Sequence, residues 1–121
     1  MRKIKVIFEG EGKEDYLKLM GAVEEEKKNK INSSENITLL NSINKKIELL
    51  KLNPQAGRAV QKKLIPKIYK EQDLTNLWII NLANYWRMLY NIQTDEIEII
   101  CFILEFGNHD KYNKTFGFKK K

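Results

Sequence analysis

The residue pattern predicts one α+β domain of two layers, in the order β-α-α-β-β-β, with an antiparallel meander sheet and two N-terminal helices on one face. Three observations carry this. An alternating apolar stretch opens the chain, two segments of helical spacing follow, and three strand-like apolar runs crowd between Leu77 and Phe106. At 121 residues the chain fits a single domain spanning 1–121, long enough to bury a core without disulfides or metal.

Ile4, Val6 and Phe8 alternate with Lys3, Lys5 and Ile7, the period of a strand with one buried face, and the segment ends at Gly10-Glu11-Gly12. From Lys13 to Lys30, Leu17, Met20 and Val23 recur as one stripe of a helix, which fades into the solvated run Glu24-Glu25-Glu26-Lys27-Lys28. Ser33 or Ser34 caps a second helix, lined on one side by Ile37, Leu40, Ile43, Ile47 and Leu50 and stopped by Asn53-Pro54. Gln55 to Asp73 holds Gly57, Pro66 and the cations Arg58, Lys62, Lys63, Lys67 and Lys70 with little period, and reads as a basic connection with room for a short strand or turn. Then come Leu77–Leu82, Tyr85–Ile92 and Glu96–Phe106, linked by Ala83-Asn84 and by Gln93-Thr94-Asp95. The last run is apolar on both parities, which predicts a central strand covered on two faces. A ragged basic tail closes the chain.

Lysine and arginine outnumber aspartate and glutamate 22 to 16, giving +6 and a pI near 9.3. Such a surface either serves solubility alone or meets a polyanion or an acidic protein. The single cysteine, Cys101, lies in an apolar run and reads as a small core residue, so neither a disulfide framework nor a thiolate metal site is expected. The N-terminus has no signal-peptide hydrophobic region and no stretch approaches the ~20 apolar residues of a membrane span, so a cytoplasmic protein without membrane contact is expected. No cofactor is expected. Carboxylate pairs, a serine elbow and metal-ligand clusters are missing, which disfavours the common hydrolase mechanisms.

The candidate chemistry lies in the C-terminal half. Arg87 sits between Trp86 and Met88; if Trp86, Met88, Tyr90 and Ile92 pack on the helices, alternation projects Arg87 from the opposite face. There it is either a phosphate fork or the partner of Glu98 or Glu105 on the next strand. His109, the chain's one histidine, follows the strand break at Gly107. An imidazole at a sheet rim is suited to proton transfer, and equally to capping a turn. Tyr112, Phe116 and Phe118 are interleaved with Lys111, Lys114 and Lys119, a mixture that stacks on bases while neutralising phosphates, or packs its rings on the sheet and turns its lysines outward. Lys62, Lys63, Lys67 and Lys70 form a second basic cluster.

Asn76–Leu82, then Tyr85-Trp86-Arg87-Met88-Leu89-Tyr90, then Phe106-Gly107-Asn108-His109 and a closing Phe116-Gly117 together resemble the RelE/ParE toxin superfamily, and more closely its RNA-cleaving RelE and YafQ branch. The resemblance implies the toxin of a type II toxin-antitoxin system, a ribosome-dependent, metal-independent mRNA endonuclease silenced by a cognate antitoxin protein. It implies that Arg87 stabilises the phosphate, His109 transfers the proton, and Tyr112 or Phe116 orients or stacks on the scissile nucleotide. Lys62, Lys63, Lys67, Lys70 and Lys111 would then bind RNA. Members of that branch carry lysines on the second strand, where this sequence has Trp78, Ile79, Ile80 and Asn81; the loop lysines are the available substitutes. Two other readings stand beside it: a ParE-like inhibitor of DNA gyrase, and a non-catalytic module that captures an acidic helix or strand.

Overall fold

The computed structural model describes residues 2–117; Phe118 and Lys119, grouped above with the basic aromatic tail, lie outside the described residues. The elements run β1 (Lys3–Phe8), α1 (Gly10–Lys28), α2 (Glu35–Leu52), β2 (Arg58–Ala59), α3 (Lys67–Lys70), β3 (Trp78–Asn81), β4 (Arg87–Thr94), β5 (Glu98–Gly107) and α4 (His109–Phe116). The five strands form one sheet in the order β1-β5-β4-β3-β2. The three C-terminal runs form the expected antiparallel meander, and β5, apolar on both parities, is central. β1 joins β5 in parallel, Lys3 opposite Glu98 through Phe8 opposite Ile103, so the sheet is mixed.

One face of the sheet carries α1 and α2. Leu19, Val23, Leu39, Ile43 and Leu50 pack there against Ile80, Met88, Tyr90, Cys101, Ile103 and Phe106. Ser34 caps α2, its hydroxyl accepting from the Ile37 amide at 3.0 Å, as the sequence anticipates. The stripe read for α1 is rotated, however. Val23 is buried as read, but Leu17 and Met20 are 56% and 44% exposed, and Gly12 and Leu19 are buried instead. Gly12 explains the rotation: a Cβ there would lie 2.9 Å from the Ile103 carbonyl, so the helix, which starts at Gly10, turns its hydrogen-only position onto β5.

The opposite face is only partly covered, by α3 and α4. Ile65, Tyr69, Leu77, Ile79, Leu89 and Leu104 form a second core, with Val60, Leu74, Phe102, Tyr112 and Phe116 packed onto it. The basic connection therefore folds down as a layer, and the tail read as ragged is the helix α4, started by Asn108, whose side chain accepts from the Lys111 amide, and ended by left-handed Gly117. β4 begins at Arg87 instead of Tyr85, because Asn84 and Tyr85 take positive φ (58° and 65°) in the link, and Tyr85 is left exposed.

Candidate functional site

Strand pairing fixes which side chains share the partly covered face. Directly opposite residues of an antiparallel pair project the same way. One row runs Arg58, Ile79, Leu89, Glu105, and the next runs Asn81, Arg87, Gly107. Ile79 and Leu89 belong to the second core, which assigns both rows to the side of α3 and α4. Arg87 thus projects as alternation requires, while Met88 and Tyr90 enter the helical core.

Between the Leu89–Glu105 and Tyr90–Ile103 pairs the register slips by one residue, so Leu104 has no opposite partner. This bulge turns Leu104 and Glu105 to the same face. Glu105 is buried; its Oε1 accepts from the Tyr69 hydroxyl of α3, and its Oε2 accepts from Thr115 of α4 at 2.9 Å. Burial, with the adjoining carboxylate, pushes the Tyr69 phenol far up, so it stays a donor. One carboxylate therefore ties the connection and the C-terminal helix to the sheet.

α4 begins directly at the end of Arg87's row. A Cβ on Gly107 would lie 2.5 Å from the Lys111 side chain, so glycine lets the first turn of α4 fold back over the strand end. Tyr112 then lies beneath Arg87, whose guanidinium carbon stands 4.3 Å from the centre of the phenol ring, and Phe116 packs against that ring one turn further, tilted, with the centres 4.7 Å apart. The Arg87 side chain forms no ion pair or hydrogen bond with a described residue, and its Nη1 is enclosed without an acceptor. The alternative partners named from sequence are occupied elsewhere: Glu98 pairs with Lys5 at 3.0 Å, and Glu105 serves Tyr69 and Thr115. His109, the first residue of α4, is exposed, and precedes Tyr112 by one turn, a spacing that puts neighbours on one side of a helix.

The lysines divide. Lys62 and Lys63, in a 3₁₀ turn, and Lys67 and Lys70 on α3 are exposed on the layer that also carries α4; only Lys67 has a partner among the described residues, Glu71 at 3.9 Å. Lys111 differs from the basic-patch reading. Its ammonium is held by Glu11 and, at 3.4 Å, by Asp15, both on α1. Burial alone would lower its pKa, but the Glu11 hydrogen bond and the charges of Glu11, Glu105 and Asp15 outweigh this and raise it. Lys111 is thus a tether between α4 and α1. Beside it, a cleft of about 1010 Å³ runs between the start of α1, α3 and α4, with Ile68, Tyr69, Leu104, Glu105 and Lys114 among its walls. Among the described residues no group of three or more His, Cys, Asp or Glu side chains is placed to hold a metal ion.

No protein-family model matches the sequence, and no curated protein matches it. A solved structure does: a YoeB/ParE toxin from Agrobacterium tumefaciens superposes with a TM-score of 0.58 over 87% of this chain and 98% of that one, at 15% identity. The chain has the RelE/ParE toxin fold. The structure brings together two of the elements the sequence singled out, a strand arginine and the residues after the last strand. Two contributors are less legible. Arg58 is counted in the sequence only as one cation of the connection, although its parity with Val60 and its place after Gly57 are the signals of a short strand. Glu105 is read only as a partner for Arg87, because a bulge cannot be seen in alternation. No helix among the described residues is long and apolar enough to cross a membrane.

Proposed function

We propose that this protein is the toxin of a toxin-antitoxin pair and that it cleaves mRNA on the ribosome, with a cognate antitoxin as its inhibitory partner. The observation that carries the reading is Arg87: a guanidinium propped on the Tyr112 ring, with no carboxylate or other acceptor among the described residues, half-exposed beside the start of α4. A cation so placed keeps its charge and the donors other than the enclosed Nη1 for an oxyanion, and a rigid strand with a ring beneath it holds the group in position. The likeness to a YoeB/ParE toxin supports the toxin assignment at the level of fold.

In the reaction, the RNA 2'-hydroxyl attacks the adjacent phosphorus and gives its proton to water. The bond from phosphorus to the 5'-oxygen breaks, leaving a 2',3'-cyclic phosphate and a 5'-hydroxyl. Arg87 stabilises the charge gathered on the non-bridging oxygens, and His109 supplies the proton taken up by the leaving 5'-oxygen. Tyr112 carries Arg87 and borders the nucleotide, while Lys62, Lys63, Lys67 and Lys70 attract the flanking RNA. The metal requirement is tested directly, by cleavage in excess chelator with ribosomes pre-assembled on message.

Expression without an antitoxin is expected to arrest translation and to leave cut messages, and Arg87→Gln and His109→Gln each to relieve both effects. Full toxicity and cutting in both variants removes the proposed site. Arrest with intact messages, together with lost supercoiling by purified gyrase, replaces it with the gyrase-inhibitor reading; growth unaffected by the wild-type chain leaves a binding module.

A further inference from the structure

We propose that Arg58 is a second phosphate-holding residue of this site, engaging the RNA phosphodiester next to the one bound at Arg87, and that Asn81 is its positioning residue; the inference rests on the ribonuclease reading above. Arg58 is an exposed residue of the edge strand β2, opposite Ile79 and therefore on the face that Arg87 shares. Its own row is one step from that of Arg87, but its side chain crosses to the next row. Nη1 donates to the Oδ1 of Asn81 at 3.1 Å, and Asn81 is the residue directly opposite Arg87. Asn81 lies on β3 directly across from Arg87, so the residue that anchors the Arg58 guanidinium belongs to the strand paired with that of Arg87.

The chemistry of this contact is selective. An amide oxygen fixes a guanidinium while leaving its charge intact, whereas a carboxylate would neutralise it. Neither Arg58 nor Arg87 forms an ion pair with a described residue. Two arginines on one face without a counter-ion among the described residues leave positive charge there that a chain of phosphates would neutralise.

The backbone beneath Arg58 is also fixed. The Tyr90 hydroxyl donates to the Pro54 carbonyl at 2.7 Å and accepts from the Gly57 amide at 3.1 Å, clamping the turn that leads into β2. Gly57 is pressed so close to β3 that a Cβ would fall 2.4 Å from the Ile79 carbonyl oxygen. Tyr90 is fully buried and stands three residues after Arg87 on the same strand. One strand thus presents the first arginine on one face and, through the other, braces the turn that presents the second.

The test is binding of a short 2'-O-methyl oligoribonucleotide, which cannot be cleaved, to the full chain by fluorescence anisotropy over a range of salt concentrations. Arg58→Gln is expected to weaken binding about tenfold and to reduce the slope of log affinity against log salt by about one, with melting temperature unchanged. Arg58→Lys keeps the slope but regains only part of the affinity, since the fork is lost. Asn81→Leu keeps the slope with an intermediate loss, and Lys45→Gln on α2, across the sheet, changes nothing. Arg58→Gln binding within twofold of wild type while Arg87→Gln binding is lost overturns the proposal and leaves the ribonuclease reading standing. A melting temperature several degrees lower in Arg58→Gln also overturns it, by making the residue structural. Absence of RNA cleavage by the wild-type chain instead overturns the ribonuclease reading itself, and unaltered cleavage in Arg87→Gln and His109→Gln removes the site on which this proposal rests.

Discussion

Replacing Arg87 by methionine should make the protein more stable while abolishing its activity. The side chain keeps an unbranched apolar stem, about two atoms shorter, but loses the charge, the enclosed Nη1 and the cation–ring contact. A buried donor without an acceptor costs about 1–3 kcal/mol, and the substitution removes that cost. Against it stands the cation–π contact with Tyr112, worth about 1 kcal/mol at a partly covered site. The difference is a net gain of about 1 kcal/mol. For 121 residues the unfolding entropy is about 250 cal/mol/K, so the melting temperature should rise by about 4 °C. Differential scanning calorimetry of wild type and Arg87→Met reads the shift, and a translation-arrest assay on the same samples reads activity. A loss of more than about 1 kcal/mol refutes the reasoning, because it would show that Arg87 is held by an interaction the folded state needs. An arginine retained against a stability gain is kept for what it binds.

Three further outcomes follow from the same contacts. Tyr69→Phe leaves the buried Glu105 carboxylate with Thr115 as its remaining side-chain donor and should cost about 1–3 kcal/mol in urea denaturation, loosening α3 before the rest of the sheet in hydrogen exchange. Gly57→Ala forces a methyl against the Ile79 carbonyl and the Tyr90 hydroxyl, and should cost about 1–3 kcal/mol, with a lowered RNA affinity that follows displacement of Arg58. Burial pushes the Cys101 thiol up to about 11, above its unfolded value near 9. The native state favours the protonated thiol, so its contribution is complete below pH 9 and is lost as pH rises from 9 towards 11, by about 3 kcal/mol in all. Chemical denaturation at pH 8 and pH 10.5 checks this, and a thiol reagent at pH 8 should label the folded protein at its unfolding rate.

The parts of the fold legible in the sequence are those governed by local periods. Period-two alternation over Leu77–Phe106 yields the meander, and it assigns Arg87 to the face away from Met88 and Tyr90. Ser34 and Asn53-Pro54 bound α2 because capping and proline chemistry act within a few residues. α1 is a different case. Its apolar residues offer two stripes that share Val23, and the choice of Leu19 over Leu17 and Met20 is made by Gly12 against β5, a contact between residues distant in sequence. α4 is short and mostly polar; Asn108, Gly117 and the spacing of Tyr112 and Phe116 are local signals for it, but so short a helix forms because those two rings find the second core and Thr115 finds Glu105.

By itself the sequence determined the strand meander, the two long helices, the outward face of Arg87 and the positive charge, because each depends on side-chain type at short spacing. Only the tertiary structure decided that β1 runs parallel beside β5, that Lys111 is committed to Glu11 and Asp15, and that Arg58 reaches Asn81 next to Arg87. Those outcomes depend on register and on a bulge, which are set by how whole strands and layers settle against one another, and a one-residue slip in either would exchange the residues presented at the site.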